Sequence, residues 1–325
     1  MTRKEIAKIL SAQISEDYLV GTPVNRQKSS DWSKSIKCKR GNELAALVNV
    51  FKLNRDTILE NHFEAATSGD GNELSRILTL HSSSLLAFLC FSHISNTNPI
   101  RILDTDYVEP MFEVKNDVID SSLGKPSNID VMLLNEDRTK VLFLESKFTE
   151  YLDGGRAYLS PKRYQPFFNA LFKLSNGLSG FKACFIDNGY CLNEGPRTSR
   201  YLGGIKQAFS HLLGIATGPA EVQSNPNKVY TRQILEDAEE ITFASIIFNC
   251  NQKKFDSYSR LYDSVFRNEA IIKKAIGEVV PQSKTIAKLK IHSELLTYQD
   301  IFKEYELPEI IRAFYASVSE SFLGL

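Results

Sequence analysis

The sequence lacks the features that identify a secreted, membrane-spanning or zinc-thiolate protein. Its cysteines are odd in number, widely spaced and without a CxxC pair, which is typical of a reducing compartment and excludes a zinc site built on paired cysteines. The five cysteines are Cys38, Cys90, Cys184, Cys191 and Cys250. The longest apolar runs, such as residues 85–91, are far too short to span a bilayer, and the amphipathic residues 1–20 are unlike a secretory signal. We therefore expect a cytoplasmic protein with no membrane partner.

The sequence also lacks a net charge, because 39 lysines and arginines balance 39 aspartates and glutamates. This balance argues against a passive polyanion binder, which carries a basic excess. It leaves room for an enzyme that contacts a few phosphates locally while carboxylates hold a metal ion. Residues 26–40 are basic and residues 251–292 are mildly so; either segment could contact phosphates or could be an ordinary solvated surface.

Several catalytic motifs are missing. The chain has no Walker-type glycine-rich loop, no GxSxG elbow, no HExxH pair and no GxGxxG following a strand. What it has is an ordinary globular composition, with 42% hydrophobic and 24% charged residues. A chain of 325 residues is long enough for one core with helical additions.

The hydrophobic pattern predicts helices first, then strands, then helices again. We expect helices at 1–18, 43–65, 73–94, 162–176 and 200–214, with the segment 73–94 either one helix or two that meet at its serines 82–84. We expect strands at 106–119, 129–134, 141–148, 181–186, 227–233 and 241–249, and a mostly helical segment 255–325. This order predicts an α/β protein with a mixed sheet flanked by helices.

The most informative segment is 126–150, PSNIDVMLLNEDRTKVLFLESKFTE. It places Asp130 on one predicted strand, and Glu145 and Lys147 near the end of the next. Side chains two residues apart on a strand share a face, and the polar turn between the strands has hairpin length. Two carboxylates and one ammonium group are therefore expected to converge at one end of this ribbon.

Phosphodiester hydrolysis uses such a trio. Carboxylates bind Mg²⁺, the metal ion activates water and neutralises charge on the phosphate, and a lysine adds positive charge in the transition state. The simpler alternative is that Asp130 ends a strand while Glu145 and Lys147 form an ion pair at a wet strand edge. The apolar residues 141–144 before Glu145 favour a buried site, because unpaired buried charge is costly.

Asp130 followed by Glu145-Ser146-Lys147 on successive strands resembles the signature of the PD-(D/E)XK phosphodiesterase superfamily. With GDGNEL and HSSSLLAF upstream, the chain is similar to bacterial restriction-endonuclease-like proteins of that superfamily. The resemblance covers roughly residues 70–250. One departure is Ile129, which stands where the name of the signature has proline.

The resemblance implies a role for each matching residue. Asp130 and Glu145 would bind Mg²⁺, with Mn²⁺ able to substitute, and the Ser146 carbonyl could complete the shell. Lys147 would be the catalytic lysine. Glu73, on the helix before the sheet, would be a further metal ligand, although Asp70-x-x-Glu73 also resembles a capping box.

Four more residues are weaker candidates. Glu109 and Glu113, on the preceding strand, are alternatives for an extra ligand, or ordinary solvated positions. Gln207 lies where superfamily members often carry a glutamine near the site. His211 follows it on the same helix face, where a tyrosine is often found, and could equally be a packed histidine.

Together these inferences predict a restriction-endonuclease-like α/β core at residues 67–250, with helical additions at 1–66 and 251–325. The expected function is metal-dependent endonucleolytic cleavage of DNA in restriction or phage defence, with a homodimer for double-strand cleavage. An RNA nuclease, or an inactive module that binds nucleic acid or protein, are the alternatives.

Overall fold

The computed structural model describes residues 1–24, 28–68, 73–119, 126–152, 156–157, 161–175, 199–200, 202–220 and 227–319. No helix in this part of the chain is both long enough and apolar enough to cross a membrane.

Helices occupy both ends of the chain and separate the main strands. They are α1 Arg3–Ala12, α2 Glu43–Phe51, α3 Thr57–Thr67, α4 Glu73–Ile77, α5 Ser83–Phe91, α6 Pro161–Leu174, α7 Leu202–Thr217, α8 Lys228–Asp237, α9 Gln252–Phe266, α10 Glu269–Val279, α11 Tyr298–Ile301 and α12 Glu309–Ala316. Short 3₁₀ turns lie at Glu16–Tyr18 and Glu150–Leu152.

Within the described ranges, the strands form one main sheet and three small two-stranded pairs. They are β1 Leu19–Val24, β2 Lys28–Ile36, β3 Ile100–Ile102, β4 Thr105–Tyr107, β5 Glu109–Asn116, β6 Ser127–Leu134, β7 Lys140–Lys147, β8 Arg156–Ala157, β9 Ser199–Arg200, β10 Glu240–Ile247, β11 Leu289–Ile291 and β12 Leu296–Thr297. The small pairs are β1 with β2, β3 with β4 and β8 with β9.

The main sheet is mixed, with the order β11-β10-β7-β6-β5 and β12 also paired to β10. Strands β5, β6 and β7 are successive and antiparallel, whereas β7 and β10 run parallel. After their first residues, β7 and β10 are buried throughout, as expected for central strands covered on both faces. The prediction of a mixed sheet flanked by helices is confirmed.

Helices cover both faces of the sheet at β7. On one face, His211 of α7 contacts Glu145, and Tyr262 of α9 accepts a hydrogen bond from Ser245, the β10 partner of Glu145. On the other face, Ser146 contacts α5 and Tyr298 of α11. The end of β7 therefore lies inside the protein, where its charged side chains need partners.

Both helical additions also contain strands. Residues 1–66 were expected to be helical, but β1 and β2 form an antiparallel hairpin there, between α1 and α2. The polar, basic character of residues 21–40 masked this hairpin, because it offers little apolar alternation. In the C-terminal segment, β11 and β12 extend the main sheet by pairing with β10.

The expected strand at 227–233 is wrong, because Lys228–Asp237 is helical. The β-branched and aromatic run Val229-Tyr230-Thr231 suggested a strand. The buried residues of α8 are instead Thr231, Ile234 and Leu235, at helical spacing, while Val229 is 69% exposed. The strand expected at 181–186 lies outside the described residues.

The segment 73–94 resolves into two helices, the second of the two alternatives. Ser82 caps the start of α5, because its hydroxyl accepts a hydrogen bond from the Leu85 N–H at 3.1 Å. The serines therefore mark a helix boundary directly beneath the end of β7.

Candidate active site

The pairing of β6 with β7 stops next to the predicted site. The register runs from Leu134 opposite Val141 to Val131 opposite Leu144, one position short of Asp130 and Glu145. The Asp130 carboxylate replaces the missing backbone partner, because its Oδ2 accepts a hydrogen bond from the Ser146 N–H at 2.7 Å. The side chain thus bridges the two strands where their ladder ends.

Glu145 and Lys147 form a buried ion pair on one face of β7. Lys147 Nζ donates to Glu145 Oε1, and the two residues are only 7% and 2% exposed. Lys147 Nζ also lies 3.3 Å from the Ser146 carbonyl oxygen. This arrangement excludes the simpler reading of a wet surface pair, because both side chains are buried.

The surroundings shift the pKa values of the Asp130 and Glu145 carboxyls in opposite directions. Burial, followed by repulsion from Glu145, raises the pKa of Asp130 well above its usual value. Burial also acts to raise the pKa of Glu145, but attraction to Lys147 and then His211 lowers it to about 2. Burial acts to lower the pKa of Lys147, yet Glu145 and Asp130 raise it above its usual value. Ionised Glu145 and Lys147 therefore stand beside an Asp130 that resists ionisation.

Contacts around β7 fix the strand end. The Ser146 hydroxyl, on the opposite face from Glu145, lies 2.7 Å from the Tyr298 hydroxyl. Glu150 accepts hydrogen bonds from the Phe148 N–H at 2.8 Å and from the Ser83 hydroxyl at 2.9 Å. Because these contacts come from two different helices, the backbone that carries Glu145 and Lys147 is held in place from the face opposite these two side chains.

Two further glutamates, Glu73 and Glu113, lie near the trio. Glu73 is buried, and its Oε1 lies 3.7 Å from an Arg76 nitrogen. Burial, then repulsion from Glu73 and from Glu145, raises the pKa of Glu113 to about 8. The capping box that could explain Glu73 depends on Asp70, which lies outside the described residues.

The backbone at Glu113 is strained. Its φ of 50° lies in the left-handed region, which is uncommon for a residue other than glycine and rare within a strand. The β5–β6 register continues on both sides, with Phe112 opposite Val131 and Val114 opposite Ile129, but Glu113 and Asp130 do not pair. The β5–β6 ladder and the β6–β7 ladder therefore both lack a residue pair at the position of Asp130.

Two predicted candidates lie elsewhere. Gln207 is exposed on α7, so the structure does not bring it to the buried carboxylates. Glu109 is bound at the opposite end of β5, by Arg138 Nη2 at 2.9 Å and by the Tyr230 hydroxyl at 2.6 Å. The sequence alone could not tell which of Gln207 and His211 contacts the site. Residues four apart lie on the same side of a helix, but their side chains do not point in the same direction.

His211 is the neighbour that sequence reasoning undervalued. Its Nε2 lies 2.5 Å from Glu145 Oε2, and its Nδ1 lies 2.5 Å from the Ser127 hydroxyl. The side chain is 4% exposed. The only sequence signal was its place on the helix after the ExK strand, and Ser127 gave no signal at all.

The donor set suits a hard divalent cation only in part. No group of three or more His, Cys, Asp or Glu side chains within the described ranges is arranged so that it could hold a metal ion. Mg²⁺, however, keeps several waters and is commonly bound by one or two carboxylates. Asp130 and Glu145 supply that number. Burial, and after it repulsion from neighbouring carboxylates, raises the pKa values of Asp130 and Glu113, and a bound cation would relieve the repulsion.

A cleft opens beside Glu113. It has a volume of about 510 Å³ and is lined by α3, β5 and the start of α8, including Asn61, Lys115 and Thr231. The buried Lys115 donates to the Ser68 carbonyl oxygen at 2.6 Å. The cleft therefore opens at Glu113, on the strand next to that of Asp130.

Comparison with known proteins found no matching family model, no similar curated protein and no similar solved structure.

Proposed function

We propose that this protein is a metal-dependent nuclease that hydrolyses phosphodiester bonds in DNA. One observation carries the proposal: Asp130 bridges to the backbone of Ser146 between the buried Glu145 and Lys147. Two carboxylates, a backbone carbonyl and a lysine from adjacent strands are the groups that such hydrolysis requires.

Asp130 and Glu145 would hold Mg²⁺ or Mn²⁺, with the Ser146 carbonyl as a third oxygen donor and Glu73 as a further carboxylate nearby. Both oxygens of Glu145 already have neighbours, but a carboxylate has about four acceptor sites, so each oxygen can still bind a cation. When bound, the metal ion would supply an activated water and neutralise charge on the phosphate.

Lys147 contributes positive charge that the chain itself keeps in place. Because Glu145 and Asp130 raise its pKa, the lysine remains an ammonium group at neutral pH. An ammonium group beside the scissile phosphate stabilises the negative charge that accumulates as water adds and the P–O ester bond breaks.

The wider features of the chain support the same proposal. The mixed sheet flanked by helices is compatible with a restriction-endonuclease-like core at 67–250, and the D…ExK trio occupies adjacent strands, as the resemblance implies. The free thiols of Cys38, Cys90 and Cys250 suit a cytoplasmic location. Restriction or phage defence, and a homodimer for double-strand cleavage, belong to this proposal.

An inactive binding module on the same fold is the main alternative. A module that only binds its partner would not need buried charges in its sheet. In this protein Asp130, Glu145 and Lys147 are all present and are held by specific contacts. An RNA nuclease would use the same site, so the substrate must be tested directly.

The test is a cleavage assay on supercoiled plasmid, linear duplex DNA and single-stranded RNA. Each substrate is incubated with the protein in Mg²⁺, in Mn²⁺ and in EDTA. We expect nicking or linearisation of DNA only with a metal ion, and weaker or no cleavage of RNA. Cleavage of RNA alone would support the RNA nuclease, and DNA binding without cleavage in either metal would support the inactive module.

Asp130→Asn is the matched variant, because it keeps the size of the side chain and removes the carboxylate. We expect it to reduce the cleavage rate at least about a hundredfold, as for loss of a group that acts in the transition state. Asp137→Asn, in the exposed turn before β7, is the control and should leave the rate unchanged. Equal rates for Asp130→Asn and wild type would remove Asp130 from the site.

A further inference from the structure

His211 lies between a hydroxyl and a carboxylate inside the protein. Its two ring nitrogens are each 2.5 Å from an oxygen, one from Ser127 and the other from Glu145. All three residues are buried, at 4%, 6% and 2% exposure respectively. The contact with Ser127 is a hydrogen bond, whereas His211 Nε2 and Glu145 Oε2 lie at ion-pair distance without hydrogen-bond geometry. The Ser127 hydrogen bond therefore fixes the ring with its Nε2 facing the Glu145 carboxylate.

Close packing of α7 on the sheet sets the position of this ring. A Cβ atom added to Gly214, one turn after His211, would lie 2.9 Å from the Asn116 Cβ and 3.3 Å from the Ser127 Cβ. Only glycine permits this approach to β5 and β6. The same helix face therefore brings His211 within reach of Ser127 and Glu145 together.

The consequence for Glu145 is that its carboxylate is clamped from two sides. Lys147 contacts Oε1 and His211 contacts Oε2. The plane of the carboxylate is thereby fixed, and so are the directions in which its remaining lone pairs point. Neighbours that orient a ligating carboxylate in this way commonly change metal affinity or activity 10- to 100-fold when they are removed.

We propose that His211 is a positioning residue that orients the Glu145 carboxylate for metal binding, with Ser127 and the close approach at Gly214 holding the imidazole in place. The inference rests on the proposed nuclease function. It assigns His211 no contact with substrate and no proton transfer.

A serine-hydrolase reading of Ser127, His211 and Glu145 fits the geometry less well. Ser127 is buried at the contact with α7, where Gly214 leaves no room for even a methyl group. A nucleophilic serine must reach an external substrate, and in the familiar triads it contacts Nε2 while the carboxylate contacts Nδ1. Here the two nitrogens are exchanged.

The test compares His211→Leu, His211→Gln and Gly214→Ala with the wild-type protein. The readouts are the Mn²⁺ dissociation constant from calorimetry, and kcat and KM for DNA cleavage. We expect His211→Leu to weaken Mn²⁺ binding at least about tenfold and to lower kcat, with KM nearly unchanged. His211→Gln should recover part of both losses, because its amide nitrogen can reach the place of Nε2. Gly214→Ala should show a smaller loss of Mn²⁺ affinity.

Leu212→Ala is the control for a purely structural effect. Leu212 is fully buried on the same helix, next to His211, and its truncation lowers stability without removing a contact to Glu145. We expect its Mn²⁺ affinity to match wild type at a temperature where every variant is folded. An equal loss of affinity in Leu212→Ala, or no loss in His211→Leu, would overturn the inference.

These measurements distinguish the role of His211 from the nuclease function itself. A wild-type protein that binds Mn²⁺ and cleaves DNA, together with an unaffected His211→Leu variant, would remove only the role of His211. A wild-type protein that neither binds Mn²⁺ nor cleaves would remove the nuclease function, and the inference with it.

Discussion

Glu145 and Lys147 depend on each other at the scale of single residues. Both are buried, and each is the principal counter-charge of the other. Removal of one partner of a buried pair leaves an uncompensated charge, which usually costs more than the pair contributes. Alanine substitution of either residue alone therefore changes the stability of the protein as well as its activity. The sequence by itself does not reveal this second effect.

We predict that Glu145→Gln lowers the free energy of unfolding by about 3–5 kcal/mol, because the Lys147 ammonium is left buried without its partner. The double variant Glu145→Gln/Lys147→Met should recover most of that loss while remaining inactive. Urea denaturation of the two single variants, the double variant and wild type measures this coupling. Additive losses in the double variant would show that the two charges do not interact.

Glu113 gives the protein a pH dependence that can be isolated. Its pKa is about 8 in the folded protein against 4.5 for the ordinary side chain, so the folded state binds more protons between these values. The free energy of unfolding must then fall as pH rises through this window.

We predict that Glu113→Gln becomes progressively more stable than wild type between pH 5 and pH 8, by at most about 1.4 kcal/mol per pH unit. The comparison uses urea unfolding in EDTA, so that metal ions do not contribute. Glu109→Gln is the control, because its carboxylate is paired with Arg138 at the other end of the strand. A stability difference that stays constant with pH would contradict the raised pKa of Glu113.

The sequence predicted the residues of the trio but not their surroundings. Asp130, Glu145 and Lys147 were recognisable because period two and a hairpin-length turn fix which strand residues are neighbours. Ser127 and Gly214 were not, because their importance depends on how closely α7 packs against β5 and β6, which no local pattern encodes. The role of Gln207 near the site, expected from the resemblance, stays a prediction that its exposed position does not support.

At the scale of secondary-structure elements, the site lies where regular pairing stops. The β6–β7 ladder ends beside Asp130, and the β5–β6 ladder skips Glu113. Strands with strong apolar runs were predicted closely, because burial on both faces leaves a clear pattern. The hairpin of β1 and β2 and the helix α8 were mispredicted because a polar strand and a β-branched helix both contradict local propensity.

The helix α5 begins directly beneath the end of β7, so its cap matters for the site. Ser82 accepts from the Leu85 N–H, and its hydroxyl lies 2.5 Å from the Arg76 carbonyl oxygen. We predict that Ser82→Ala lowers the free energy of unfolding by about 1 kcal/mol, and that Ser82→Thr, which keeps the hydroxyl, keeps most of the stability. Thermal unfolding measures both changes. The control is Ser11→Ala on α1, which should lower the free energy of unfolding by less than about 0.5 kcal/mol. A loss that is equal in Ser82→Thr and Ser82→Ala would exclude a capping role.

At the scale of the whole molecule, the C-terminal segment is joined to the sheet. Strands β11 and β12 pair with β10, and the Tyr315 ring of α12 packs 5.6 Å from both Phe148 and Phe248. The sequence suggested a helical addition after residue 250. Parallel pairing over a long separation has no local signature, which explains why these short strands were missed.

We predict that a chain truncated after residue 250 does not fold, because β10 loses its outer partners and the aromatic cluster loses Tyr315. Far- and near-ultraviolet circular dichroism and limited proteolysis compare the folding of the truncated chain with that of the full chain. A soluble 1–250 fragment with a cooperative unfolding transition would show instead that the C-terminal segment is a separate addition.

The most direct measurement of the central claim is a crystal structure of the wild-type protein soaked in Mn²⁺, with data collected for anomalous scattering. We predict an anomalous peak between the carboxylates of Asp130 and Glu145, close to the Ser146 carbonyl, and its loss in Asp130→Asn. Saturating Mn²⁺ with no peak at this place, in crystals whose solvent channels reach the cleft beside Glu113, would contradict a metal-dependent site at the end of β7.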